Sequence, residues 1–265
     1  MAPTTGPGTA GDIACKAIRE GTKMILAAGG DGTLNEVIQG MAHSTVPLGI
    51  LPAGTANVLA TEIGLRGLDR AAEIIPKCVT RRIALGRLDC GEGQRYFLSM
   101  AGAGFDAQIV YDLASGLKQR LGKAAYWVAG FAHALKRFPE FEIEIGGTAP
   151  ATGSFALVSR VRNYGGDFEI ARHASLTADS FEVVLFRGRN ALPYFKYLCG
   201  MVAGQIEGMG GVAFQTGLEV RLFDPAGRRI HIQVDGEYAG CLPASIVLVP
   251  NALTLLVPPD YGSAQ

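Results

Sequence analysis

Two glycine-rich strings near the N-terminus constrain this chain more than any other feature. AAGGDGTLNEV at 27–37 and GILPAGTANVLA at 49–60 each pass from a short apolar run, through a glycine turn, into helical spacing. An apolar run without alternation fits a strand covered on both faces, and strands alternating with helices imply a parallel sheet. Both turns then leave the same carboxyl edge of that sheet, where α/β folds bind ligands. Gly29, Gly30 and Gly32 let the backbone turn sharply and approach a ligand with no Cβ in the way. The amides that open the following helix, expected at about Leu34, attract phosphate oxygens. Thr33 can cap that helix or donate its hydroxyl to a phosphate. Asp31 is the odd member, because a carboxylate beside phosphates is costly unless Mg²⁺ bridges them or it takes a hydroxyl proton. In the second string Gly54 and Thr55 present another set of amides, and Asn57 falls in the first helical turn. Two facing anion cradles suit a nucleoside triphosphate. G-x-x-x-x-G-K-[ST] is absent, LGKAA at 121–125 lacking the hydroxyl residue, and no GxGxxG is followed by an acidic ribose ligand.

At ~150 residues per domain, the 265 residues predict about two domains. Residues 1–80 read as the α/β unit, with helices at 11–20, 34–41 and 56–63 and strands at 23–28 and 46–51. From 81 to 250 strands dominate, expected at 83–89, 95–100, 141–145, 154–161, 181–186, 218–223, 229–235 and 246–249, with a last one at 253–257. Phe141, Ile143 and Ile145 alternate with Glu142 and Glu144, the period of a half-buried strand. An apolar stripe from Leu121 to Leu135 predicts a long helix over 119–137, and a shorter one is expected over 191–204. The tail, about 250–265, is expected to return to the first unit. Glycine numbers 36 of 265 residues, about twice the ~7% average. With no collagen-like period, those glycines serve turns and close approaches.

With 48% hydrophobic and 18% charged residues the chain can build a real core, which excludes a disordered class. Lysine plus arginine equals aspartate plus glutamate, 24 against 24, so a nucleic-acid partner is not expected. Five scattered cysteines show neither a CxxC pair nor zinc-ligand spacing, which argues against a disulfide scaffold or zinc site and for a reducing, cytosolic compartment. The opening MAPTTGPGTAGD has neither the basic nor the apolar region of a secretion signal. The longest uncharged stretch, 239–259, contains four prolines and fits strands and turns better than a membrane span.

Four weaker features remain. IQVDGEYAG at 232–240 carries the turn dipeptide Asp235-Gly236, and its residues alone read as a hairpin with an acidic tip. Arg160 and Arg162 share one face of an expected strand and read as a solvated face rather than a phosphate site. His43, His133, His173 and His231 have no partner at metal-ligand spacing, and Trp127 reads as core packing. The basic pairs at 81–82, 136–137 and 228–229 form no single patch identifiable as a membrane-docking surface.

GGDGTLNEV followed by GILPAGTAN resembles the diacylglycerol kinase catalytic domain family, in particular the bacterial soluble lipid kinases related to sphingosine and ceramide kinases. The resemblance runs from Thr4 to about Pro258 and is most specific in the two strings. It implies a small phosphofructokinase-like parallel-sheet nucleotide domain followed by a larger β-sandwich-like domain, with the active site in the cleft between. It implies transfer of the γ-phosphate of ATP, with Mg²⁺, to the hydroxyl of diacylglycerol or a similar lipid alcohol. Such a protein would be cytoplasmic and meet its lipid peripherally and transiently, at the inner face of the membrane. By the same resemblance Gly29, Gly30, Asp31, Gly32, Thr33, Leu34 and Asn35 line the nucleotide phosphates. Gly54, Thr55 and Asn57 form the second nucleotide loop, and Thr4 matches an upstream nucleotide-contacting threonine. The Asp235-Gly236-Glu237 segment would reach from the second domain into the cleft, with Glu237 as proton acceptor and Asp235 orienting it or helping to hold Mg²⁺. A carboxylate suits that task because phosphoryl transfer needs positioning, charge neutralisation and a base for the hydroxyl proton. Within ASLTADSFEVVLF at 174–186 the family often has Asp-Gly-Leu around a second, structural Mg²⁺. That implies Asp179 as side-chain ligand and the carbonyls of Leu176 and Phe181, although Ser180 and Phe181 replace the glycine and leucine. The residues alone read equally as an exposed turn aspartate.

The family's opening strand, with its Asn-Pro and Ser/Gly loop, has no counterpart ahead of Thr4. Either the sequence starts late in a longer chain or the sheet lacks an edge strand and one nucleotide-contacting loop. The family's frequent Asn-Asp after the second loop is here Asn57-Val58. Two other readings stay open. An NAD kinase shares the first domain's fold and a GGDGT loop, but Asn35-Glu36 directly after that loop, together with LPAGTAN, favours the lipid class. A non-catalytic nucleotide- or lipid-binding module is the other.

Overall fold

The computed structural model describes residues 1–114, 137–165 and 168–262, so the helix expected over 119–137, with Trp127, lies outside the described residues but for its last position. The expected alternation forms: α1 (Thr9–Arg19), β1 (Ile25–Gly29), α2 (Asp31–Met41), β2 (Leu48–Pro52), α3 (Val58–Glu62) and α4 (Leu68–Ile74). The apolar face of α2, Leu34, Val37, Ile38 and Met41, is buried with Ala10 and Ala14 of α1 and with Leu48 and Ile50 of β2. The two helices cross at bare backbone, where any side chain at Gly40 would collide with the Gly11 carbonyl. β1 and β2 pair in parallel from Ile25 opposite Leu48 to Gly29 opposite Pro52, so both glycine turns leave the sheet side by side.

Strands then dominate. β3 (Val79–Cys90), β4 (Gly93–Phe97) and β5 (Met100–Gly104) lead into α5 (Phe105–Ala114). After it come β6 (Phe141–Ile145), β7 (Ala151–Gly153), β8 (Phe155–Ser159), the short β9 (Asn163–Tyr164) and β10 (Phe168–Glu169), β11 (Phe181–Phe186) and α6 (Ala191–Val202). The chain closes with β12 (Val212–Gly217), β13 (Glu219–Phe223), β14 (His231–Val234), β15 (Glu237–Cys241) and β16 (Ala244–Val257). One sheet is antiparallel in the order β12-β11-β8-β5-β14-β15. The other is mixed, β1-β2-β16-β13-β6-β7, with β3 also on β16 and β4 on β3. Ile143, Val220, Leu222 and Ile246 from the mixed sheet meet Ala101, Val158, Val183 and Ile232 from the antiparallel one in a sandwich core. The α/β unit followed by a β-sandwich is the architecture the sequence predicts.

Four expectations are corrected. The segments 246–249 and 253–257 are one strand, β16, whose register against β3 shifts between Val249 and Leu253 around a left-handed Asn251. Its late half returns to β2, Leu255 lying opposite Leu48, while its early half pairs with β13, so one strand belongs to both halves of the molecule. The single strand expected at 95–100 is broken at Leu98-Ser99 into β4 and β5. Helix α2 begins at Asp31 rather than Leu34. The strand expected to reach residue 161 ends at Ser159, and Arg160, read as solvated, turns inward and is completely buried.

Candidate active site

The early start of α2 comes from Gly30, which is extended (φ −93°, ψ −174°) and whose carbonyl accepts the Leu34 N–H at 3.1 Å. The amides of Asp31, Gly32 and Thr33 therefore form the first helical turn, and no side chain caps it. Thr33 lies inside the helix, packed where a Cβ on Gly29 would come within 2.6 Å of it, so it is not the cap. The two glycine turns touch backbone to backbone: a Cβ on Gly30 would lie 3.2 Å from the Gly54 Cα. Asn57 does not face outward. Its Oδ1 accepts the Gly54 N–H at 3.0 Å and its Nδ2 donates to the Gly54 carbonyl at 2.7 Å, clamping the loop whose exposed tip is Thr55. Thr4 is exposed ahead of α1, the start of which is tied to Glu36: its carboxylate accepts the Gly8 N–H at 2.7 Å and the Ala10 N–H at 3.1 Å.

Asp31 sits beneath this pair of turns. Its Oδ1 is buried and makes no hydrogen bond. Burial first, and the nearby Asp235 charge second, push its pKa up, while the amides of Val58, Leu59 and Asn57 at the head of α3 pull it down.

The hairpin between β14 and β15 approaches from the sandwich. Asp235 and Gly236 both have positive φ, 48° and 82°, the two-residue turn that suits the twist of antiparallel strands. The break between β4 and β5 leaves three consecutive amides aimed at Asp235. Its Oδ1 accepts from Ser99 at 2.9 Å and Met100 at 3.0 Å, and its Oδ2 from Leu98 at 3.0 Å and Asn35 Nδ2 at 2.8 Å. Both oxygens are spent on fixing the turn, so the carboxylate expected to help hold Mg²⁺ has none to spare. Burial pushes its pKa up against those four hydrogen bonds.

Asn35, almost fully buried, passes the connection onward: its Oδ1 accepts from Arg95 Nε at 3.0 Å and Nη2 at 2.7 Å. Arg95 Nη2 also pairs with the Glu237 carboxylate. Glu237 in turn lies over the first turn of α2, where a Cβ on Gly32 would stand 2.5 Å from its Oε1. The structure thus brings Asp31, Gly32, Asn35, Asp235 and Glu237 together, with Gly30 and Gly54 beside them.

Sequence reasoning missed Arg95, a lone arginine in an exposed strand with no motif around it. It also missed Gln39, which brackets Tyr96 by donating to its carbonyl at 2.8 Å and accepting its N–H at 2.9 Å. Behind the hairpin, Gln233 accepts the Gly236 N–H at 2.8 Å and donates to the buried Asp106 at 2.8 Å. Polar residues of this kind reveal themselves only through tertiary partners.

The loop expected to hold a structural Mg²⁺ is arranged otherwise. The Leu176 carbonyl accepts from Arg160 Nη2 at 2.6 Å, Phe181 opens β11 with its ring fully buried, and Asp179 is exposed. Among the described residues no group of three or more His, Cys, Asp or Glu could hold a metal ion. The buried, unpartnered Asp31 Oδ1 is a carboxylate oxygen beside the two glycine turns that could take a cation brought by a ligand. Among the described residues, too, no helix is long and apolar enough to cross a membrane.

Comparison with known proteins places the chain in a family. Residues 1–88 match the diacylglycerol kinase catalytic domain, and residues 99–257 match the YegS C-terminal NAD kinase β-sandwich-like domain. A diacylglycerol kinase of Bacillus subtilis (strain 168) is 29% identical over 263 residues, covering 97% of this chain and 85% of that protein. One from Mycobacterium tuberculosis (strain H37Rv) is 29% identical over 248 residues, covering 91% and 79%. The crystal structure of a diacylglycerol kinase from Bacillus anthracis superposes with a TM-score of 0.69 over 97% of this chain and 84% of that one. At 16% identity that likeness speaks for the fold alone.

Proposed function

Because the chain belongs to the lipid kinase family in which a diacylglycerol kinase catalytic domain precedes a YegS-type β-sandwich-like domain, we propose that it transfers the γ-phosphate of ATP to the hydroxyl of diacylglycerol or a similar lipid alcohol. The observation that carries this reading is Glu237 against Gly32, where an acidic tip from the sandwich meets the head of the phosphate-loop helix. The bare backbone at Gly30 and Gly54 is a cradle that a Cβ would fill, and the uncapped turn of α2 offers N–H groups to anionic oxygens. These residues fit a triphosphate. Asp31 would hold a Mg²⁺ ion, which would supply charge neutralisation when bound.

The remaining work falls to side chains on this chain. The first-turn amides of α2 orient the phosphates. Glu237 accepts the proton that leaves the lipid hydroxyl as its oxygen attacks the γ-phosphorus, while the bond from that phosphorus to the β,γ-bridging oxygen breaks and ADP leaves. Arg95 fixes the Glu237 carboxylate, Asn35 fixes Arg95, and Asp235 fixes the turn that carries Glu237. By the same reading the lipid is met at a membrane surface, peripherally and from the cytoplasmic side.

The test is transfer of labelled γ-phosphate from ATP to micelle-borne diacylglycerol, ceramide and sphingoid base, with NAD assayed alongside. Label in a lipid is expected. Label in NAD alone would replace the reading with an NAD kinase, and heat of ATP·Mg²⁺ binding without transfer to any acceptor would replace it with a nucleotide-binding module.

A further inference from the structure

Arg160 follows β8 and is completely buried. A buried guanidinium persists only where its charge and donors are answered. Here the loop 174–181 answers three of the donors with backbone carbonyls, while the buried Nε–H has no partner. Nη2 donates to the Leu176 carbonyl at 2.6 Å, and Nη1 donates to the carbonyls of Ala178 at 2.6 Å and Ser180 at 3.2 Å. Three carbonyls from alternate residues converge on one cation, which is how a loop presents itself to a metal ion. Burial pushes the Arg160 pKa down to about 10, so the group stays charged at neutral pH, and Tyr261 and the exposed Asp179 favour the charge.

We propose that Arg160 is the resident cation of the 174–181 loop and that this loop takes no structural Mg²⁺. The donor set does not fit the metal. Mg²⁺ demands near-octahedral oxygen ligands at ~2.1 Å, and one bound to the Leu176 oxygen would stand within about 5 Å of the guanidinium that already holds that oxygen. Two cations that close in a buried site repel strongly. Asp179, the expected side-chain ligand, lies outside at the surface.

The substitution of a side chain for an ion also ties the loop to the nucleotide half. Tyr261 hydrogen-bonds the loop at the Leu176 backbone and the Ser175 side chain and also Glu62 of α3 at 3.2 Å, and Glu62 accepts the Arg162 N–H at 3.0 Å, two residues from Arg160. Helix α3 directly follows the second glycine turn. The loop therefore braces that turn's helix without depending on the Mg²⁺ concentration.

The experiment is thermal unfolding of the full, nucleotide-free chain in EDTA and in millimolar MgCl₂, for the wild type, Asp179→Asn and Arg160→Met. The wild-type midpoint should be the same in both solutions to within ~1 °C, since an ion bound a hundredfold above its Kd would move a chain of this size by roughly 5–10 °C. Arg160→Met should lower the midpoint by several degrees, because three carbonyls, that of Leu176 buried and those of Ala178 and Ser180 part-buried, lose their donors. A Mg²⁺-dependent rise that Asp179→Asn abolishes would overturn the proposal, as would an Arg160→Met midpoint equal to wild type. A rise unaffected by Asp179→Asn also counts against it, because loop carbonyls could hold an ion without that side chain. None of these outcomes bears on the phosphotransfer reading, which is measured by labelled product.

Discussion

Replacing Gly32 by alanine separates folding from function more cleanly than any other single change. Gly32 lies in the first turn of α2 with no positive φ, so alanine takes its backbone conformation unstrained. Alanine for glycine in a helix contributes ~0.5–1 kcal/mol of stability. The new Cβ, however, would stand 2.5 Å from Glu237 Oε1, where ordinary van der Waals contact begins at 3.4 Å. The carboxylate must retreat by roughly 1 Å, a displacement that costs about a hundredfold in rate when it falls on a catalytic group. Retreat costs the fold little, because Glu237 is the far end of a flexible side chain. Its pair with Arg95 is partly exposed and worth ~0.2–1 kcal/mol. The two stability terms nearly cancel, and the unfolding midpoint should stay within about 4 °C of wild type. Steady-state lipid phosphorylation, ATP titration calorimetry and a melting curve on one preparation read all three quantities. Full turnover by well-folded Gly32→Ala would mean that Glu237 does no chemistry where the structure places it.

Three further outcomes follow from the same site. Asp31→Asn should raise stability while reducing turnover. The folded pKa of Asp31 lies above its ordinary value, so ionisation withdraws stability as pH rises from that ordinary value through the raised one. The melting-point gap in favour of the asparagine variant should therefore be absent at low pH, widen across that window and persist at neutral pH; a gap favouring the wild type contradicts this. Asp235→Asn should do the opposite and cost about 3 kcal/mol in urea unfolding, because an amide offers one acceptor oxygen where four N–H donors converge. Arg95→Lys keeps the charge but not the fork that spans Asn35 and Glu237, so kcat should fall by roughly 10-fold or more with KM for ATP little changed, and an unaltered kcat would remove Arg95 from the site.

What the sequence made legible was whatever depends on local backbone. Glycine spacing at 29–32 and at 54 announced turns at one edge of the sheet, and period-2 alternation at 141–145 announced a half-buried strand. The acidic hairpin was equally visible, because Asp235-Gly236 is itself a turn signature. Tertiary choices were not visible. Nothing in Leu98-Ser99 says that a strand breaks there to aim three amides at Asp235, and nothing around Arg95 says that it bridges Asn35 and Glu237. Arg160 was misread for the same reason. Its strand position suggested solvent, whereas its destination was fixed by carbonyls sixteen to twenty residues later. Asp31 shows the limit in the other direction: the residue was identified as unusual from its neighbours, but its buried, unpartnered oxygen belongs to the packing of α3 against the turn.

A rapid-quench comparison of wild type and Glu237→Gln, with ATP affinity measured separately by calorimetry, bears most directly on the union of hairpin and phosphate loops. Losing a positioned base costs ~10²–10⁴-fold. Labelled lipid should form slower by that factor in the first turnover, while ATP binds as tightly as before. Undiminished first-turnover transfer by Glu237→Gln would show that the proton leaves by another route and that the hairpin is not part of the reaction centre.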